Sequence, residues 1–169
     1  MGFTLGKVAP WGRSYDEYVN MLGLTEKDLS LRILGCGDGP AAFNATLTKR
    51  RGSVVSVDPV YVFDTAQIKI RVAETYEAVM VQMHKNQDNY VWEDIPSVEQ
   101  PGKIRISAME DFLADFSTGS SASGLRAPRL QCWTSENRGA LEYQRPETNH
   151  ERSDPMIYIK VGHFDGRSL

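Results

Sequence analysis

Three glycines at alternate positions, Gly35, Gly37 and Gly39, and an acid 23 residues after the first of them, Asp58, are the residues whose type and spacing could do chemistry. A turn built of glycine lets a ligand lie against the backbone with no side chain in the way. The start of a helix just beyond such a turn offers unpaired N–H groups. A carboxylate at the end of the next strand is placed to accept two hydrogen bonds from ribose hydroxyls. The combination reads as a nucleoside-binding site rather than a plain strand-to-helix turn. Cys36 sits inside the turn, where its backbone matters more than its thiol.

The elements that must position these residues are legible on either side. Leu31 to Leu34 is an apolar run of strand length. After the glycines, Pro40 suits the first helical position, and a helix follows with Phe43 and Leu47 on one face. Lys49, Arg50 and Arg51 fill its last turn and Gly52 ends it, the expected stop signals. The β-branched run Val54 to Val57 then leads to Asp58-Pro59. Strand, turn, helix and strand make a βαβ unit with a right-handed crossover. A carboxylate at a strand end contributes little to packing, so Asp58 should matter to a ligand and hardly to the fold. Two nucleosides fit the spacing equally. Gly37 to Ala42 matches the GxGxxA form of the dinucleotide fingerprint, and Gly35 to Gly39 matches the GxGxG turn used for S-adenosylmethionine (SAM).

The string ILGCGDGPAAFNA followed by VVSVDPVY resembles motif I and the second-strand acid of bacterial class I SAM-dependent methyltransferases. The preceding WGRSYDEYVNMLGLTEKDLSLR is similar to the lead-in of one uncharacterised bacterial subgroup, and NQDNYVW and AMEDFLADF extend the likeness weakly. It covers roughly residues 9 to 116. The resemblance implies an α/β, Rossmann-like fold. It also implies SAM as cofactor, with Gly35, Cys36, Gly37 and Gly39 as the loop at its methionine end and Asp58 as the ribose acid. In that subgroup the first position of the turn, often acidic elsewhere, can be glycine, as at Gly35. The methyl acceptor and any general base have no recognisable residues.

Before this unit, residues 1 to 30 form a helical lead-in. Ser14 to Glu17 is a capping box and Gly23 a stop, and Thr25 to Asp28 is a shorter box. In the resembling family such a lead-in folds over the cofactor, so Trp11 and Arg13 either close the site or simply pack and face solvent. After Asp58 a long helix is expected from about Asp64 to Asn86, with Ile68, Val72, Tyr76, Val79, Met80 and Met83 as its apolar stripe. Tyr61, or else Phe63, is placed to stack on adenine, though both also suit a core. Residues 89 to 102 hold two prolines and read as irregular, and a capping box at Ser107 to Glu110 opens a further helix.

From Ser117 the composition changes to STGSSASG and then to a polar, arginine-rich stretch without period, in which Met156 to Val161 reads as the one strand. Residues 31 to 116 are the cofactor-binding half-domain that the resemblance implies, and residues 117 to 169 a divergent, flexible tail, either truncated or frame-shifted relative to the family or genuinely different. That leaves an incomplete parallel sheet with exposed apolar surface and a tendency to self-associate. The alternatives to a methyltransferase are an NAD(P)-binding Rossmann protein and a non-catalytic remnant or interaction protein.

A net charge of −3 gives no electrostatic footprint for nucleic acid or anionic membrane. No stretch is apolar enough to span a bilayer and the N-terminus lacks a signal-peptide core, so the cytoplasm is expected. Cys36 and Cys132 make no disulfide framework, and His84, His150 and His163 fall at no metal spacing.

Overall fold

The structure, a computed structural model, describes residues 10–87, 97, 99–119, 125–126, 142–144 and 156–160. It is a mixed α/β arrangement. The lead-in forms α1 (Tyr15–Leu22) and α2 (Glu26–Leu29). Both expected capping boxes are present: Ser14 Oγ accepts from the Glu17 N–H at 3.2 Å while Glu17 takes the Ser14 N–H at 2.8 Å. Gly23 ends α1 in the left-handed conformation. The central unit follows as β1 (Arg32–Cys36), α3 (Phe43–Lys49) and β2 (Ser53–Val57). A 3-10 turn (Pro59–Val62) leads into α4 (Thr65–Lys85), α5 (Glu99–Gly119) and three strands, β3 (Leu125–Arg126), β4 (Glu142–Gln144) and β5 (Met156–Lys160).

The sheet order is β3-β2-β1-β5-β4, with β4 antiparallel to β5 and every other pair parallel. Strands β2 and β3 lie on one side of β1 and β5 on the other, so the chain changes direction across the sheet at β1. The pairing of β1 with β5 runs from Arg32 opposite Met156 to Cys36 opposite Lys160.

The burial alternates along both central strands, as it must when one face is covered. Ile33, Val54 and Ile159 are buried against Tyr15, Tyr18, Leu29, Phe43 and Leu47 from the first three helices and Leu24 between α1 and α2. On the other face Val55 is 39% exposed. A second cluster joins α4 to α5 through Ile68, Val72, Val79, Met83, Met109 and Phe112, with Trp11 of the lead-in seated among them. The stripes read from the sequence are these buried faces.

Three boundaries differ from expectation. Helix α5 begins at Glu99, not at Ser107, and runs through Pro101 and Gly102. Pro101 falls in the first turn, where backbone N–H groups have no intrahelical partner, so the ring costs no hydrogen bond. Gly102 is buried against α4, where a β-carbon would come within 2.5 Å of Met80 Sδ and the methionine would have to shift. The capping-box pattern at Ser107 to Glu110 is interior to the helix. Helix α3 starts three residues later than Pro40 suggests, and the left-handed residue after it is Arg51 (φ 66°) rather than Gly52. Finally, β3, β4 and β5 all come from beyond Phe116, where only Met156 to Val161 reads as a strand in the sequence. The remainder of 117–169 from residue 120 on, with Cys132, His150 and His163, lies outside the described residues, as does most of the stretch from 88 to 98. Among the described residues no helix is long and apolar enough to cross a membrane.

Candidate functional site

The glycine turn lies at the carboxyl ends of β1 and β2, next to the point where the strand order reverses. In open parallel sheets that crevice is where ligands bind. Gly37 (φ 77°) and Gly39 (φ 58°) both have the left-handed backbone that side chains resist. The Gly37 N–H donates to Val57 O at 2.8 Å, tying the turn to the end of β2.

Asp58 stands at the strand end where the spacing puts it, but it is 1% exposed rather than open to solvent. One oxygen, Oδ2, accepts from the Gly39 N–H at 2.8 Å, and the other, Oδ1, accepts from the Val60 N–H at 2.8 Å. The carboxylate thus clamps the glycine turn to the 3-10 turn, whose N-cap it is. The expectation that Asp58 is nearly irrelevant to the fold is corrected by these bonds.

Asp38 was not singled out by the sequence, yet it is the group around which the turn is arranged. Asp38 as a residue is 7% exposed. The Tyr18 hydroxyl donates to Oδ1 at 3.3 Å, while Oδ2 is buried with no hydrogen-bond partner among the described residues. Burial, with Asp58 nearby, pushes this carboxyl up to about 7, against the stabilising hydrogen bond of Tyr18. Ser56, fully buried on β2, also accepts from Asn44 Nδ2 of α3 at 3.0 Å, and Thr48 donates to Asn44 Oδ1 at 3.3 Å. Asp38 with Tyr18, and Ser56 with Asn44 and Thr48, make a polar cluster at the turn. Gly35 belongs to it in an unexpected way: its φ is not in the left-handed region, but a β-carbon there would come within 2.1 Å of Asp38 Oδ2. The only sequence signal for Asp38 is its place between two glycines, which does not say which way a side chain folds.

The two tyrosines beside the turn are also shifted. Burial, then the Asp38 charge, raises Tyr18 well above its ordinary range, and burial with Asp38 and Asp58 does the same to Tyr61. Tyr61 donates to Gly39 O at 2.7 Å and stacks on Phe112 of α5 at 5.8 Å between centroids. Its ring is used in packing, whereas Phe63 is 51% exposed.

The lead-in closes over the turn from the other side. A β-carbon at Gly12 would meet Pro40 O at 2.0 Å, so the two backbones touch. The Ala42 N–H donates to Arg13 O at 2.9 Å. Arg105 of α5 holds this segment in place, pairing with Glu17 Oε1 at 2.8 Å and reaching Gly12 O at 3.5 Å. Trp11 is buried and stacks on Tyr76 at 6.1 Å, while Arg13 is half-buried and acts on Tyr18 through its charge. Cys36 is half-buried at the end of β1. His84 bridges Met80 O and Glu99 on the α4–α5 hairpin, away from the turn. No group of three or more metal-ligating side chains occurs among the described residues.

No family model and no solved structure matches the chain. It is similar to an uncharacterized protein, MJ0045, of the archaeon Methanocaldococcus jannaschii, with 28% identity over 157 residues. The alignment takes in 90% of this chain and 62% of that protein, so the chain spans less than two thirds of its relative's length. Coverage of nine tenths of the chain requires the likeness to continue well past Phe116.

Proposed function

We propose that the chain binds S-adenosylmethionine at the glycine turn and belongs to a methyltransferase, or forms the cofactor-binding part of one. The methyl acceptor is unassigned. The sheet order, with its reversal at β1, supports a Rossmann-like reading of the α/β arrangement, with SAM in the crevice between the ends of β1, β2 and β5.

The observation that carries the choice of nucleoside is how the turn spends its N–H groups. A dinucleotide needs free backbone donors for its pyrophosphate. Here the N–H groups of Gly37, Gly39 and Ala42 are committed to Val57, Asp58 and Arg13. A buried carboxyl, Asp38, occupies the same turn and would repel an anionic ligand. SAM has a sulfonium and an ammonium where the dinucleotide has its phosphates, so the same carboxyls favour it. The run of similarity past Phe116 supports a tail that belongs to the protein rather than a frame-shifted end.

In the reaction, an acceptor nucleophile attacks the methyl carbon, the carbon–sulfur bond breaks, and S-adenosylhomocysteine leaves as a neutral thioether. The acceptor's proton passes to solvent or to a base of its own. The protein's contribution is to hold donor and acceptor in line and keep water away. The test is a calorimetric titration of the purified chain with SAM, S-adenosylhomocysteine and NADH. Binding of the first two and not the third is expected. Binding of NADH alone would replace this reading with the dinucleotide one.

A further inference from the structure

Asp38 is a buried carboxylate at the carboxyl ends of two parallel strands, with one oxygen that has no hydrogen-bond partner among the described residues. Nothing in the backbone demands glycine at position 35, because its φ is ordinary. What demands it is Asp38 itself: all three atoms nearest to a β-carbon at Gly35 belong to the Asp38 carboxyl group. The strand end is kept bare so that this side chain can fold back onto it. Tyr18 holds the folded-back carboxylate by a hydrogen bond to Oδ1 that favours its charged form. A buried carboxylate oxygen left without a donor is costly to a fold. That cost is relieved if the donor arrives with the ligand.

We propose that Asp38 Oδ2 accepts a hydrogen bond from the α-ammonium of S-adenosylmethionine, making Asp38 the residue that selects the amino-acid end of the ligand. This rests on the SAM reading above. The choice among ligand groups is chemical. The sulfonium has no proton to donate, and the ribose hydroxyls and adenine amine are neutral. The ammonium is the one charged donor, and charge-assisted bonds are about twice as strong as neutral ones. Gly35 supplies the space, and the lead-in carrying Tyr18 supplies the second bond that orients the carboxylate.

A proton competes with the ammonium for this carboxylate. The groups facing it are Tyr18 from α1, Ser56 from β2, Asp58 at the end of β2 and Tyr61 from the 3-10 turn, with Arg13 acting on Tyr18. Burial and Asp58 hold the free carboxyl at about 7. The ammonium binds the charged form, so affinity is greatest above that value and falls roughly tenfold per pH unit below it. Binding below neutrality takes the proton off Asp38 and releases it to buffer.

The experiment is a titration of the full chain with S-adenosylhomocysteine, which keeps the ammonium, from about pH 5.5 to about pH 8. 5′-Methylthioadenosine, which lacks the amino-acid arm, serves as the control ligand. The unmutated chain should show the fall in affinity for S-adenosylhomocysteine and a flat profile for the control. Asp38→Asn should lose roughly 10- to 100-fold for S-adenosylhomocysteine at pH 8, flatten its profile, and leave the control ligand unchanged. A flat profile for the unmutated chain, or a variant within twofold of it (about the error of such a comparison), overturns the role of Asp38 while leaving the SAM reading intact. Failure of S-adenosylhomocysteine to bind at any pH overturns both. The pH profile of the unmutated chain needs no variant to fold.

Discussion

Replacing Asp58 by alanine should destabilise the fold as well as any ligand complex, and the size of the loss follows from two bonds. The carboxylate accepts from the Gly39 and Val60 N–H groups, each at 2.8 Å, and is 1% exposed. Hydrogen bonds to a charged group are worth roughly 1.5–3 kcal/mol each, and orphaning a buried donor costs a similar amount. Gly39 and Val60 are half-buried, so water can reach part of what alanine leaves behind. The net loss should be about 2–4 kcal/mol, a fall in melting temperature of roughly 5–15 °C for a chain of this length. Urea unfolding followed by circular dichroism measures it. Asp58→Asn should fall between parent and alanine, because one amide oxygen still accepts while the NH2 group confronts a second donor. A loss below about 1 kcal/mol for the alanine variant would refute the clamp and return Asp58 to a purely ligand-facing role. Loss of SAM binding by Asp58→Ala therefore does not by itself demonstrate a ribose contact. The comparison that does is SAM against its 2′-deoxyribose analogue on the unmutated chain.

Asp38 makes stability depend on pH in the direction opposite to most acids. Its carboxyl titrates at about 7 in the fold against 3.8 when exposed, so the folded chain holds one more proton between those values and stability falls as pH rises through them. Unfolding free energy should drop by roughly 2–3 kcal/mol between about pH 5 and pH 7.5 in the unmutated chain and hardly at all in Asp38→Asn, as denaturant titrations at each pH will show. Gly35→Ala should cost about 1–3 kcal/mol through overpacking, and most of that should return in the double variant Gly35→Ala with Asp38→Ala, a coupling a double-mutant cycle reads directly. Arg51→Gly should raise stability by about 0.5–1 kcal/mol, since arginine holds a left-handed backbone there (φ 66°); thermal melting checks it. Arg105→Ala should cost about 1–3 kcal/mol by leaving the half-buried Glu17 carboxylate without its cation, and should speed proteolysis of the lead-in.

How much of this was written in the sequence depends on whether the physics is local. Capping boxes at Ser14 and Thr25, the stripe Ile68 to Met83, the strand at Val54 to Val57 and the need for glycine at Gly37 and Gly39 are matters of neighbouring residues and of one backbone angle, and all were legible. The strand Met156–Lys160 was also legible, but not its place beside β1, because sheet partners are chosen across more than a hundred residues of chain. Strands as short as Leu125–Arg126 and Glu142–Gln144 carry no period to read. Helix α5 was misjudged at its start because two prolines suggest a break, while a proline in a first turn costs nothing there. The site divides in the same way. Spacing found the glycine turn and Asp58, since both follow from the length of one βαβ unit. That Asp58 spends its oxygens on Gly39 and Val60, and that Asp38 folds back into the space Gly35 leaves, depends on side-chain direction and burial. Those are fixed only when α1, β2 and the turn are packed together.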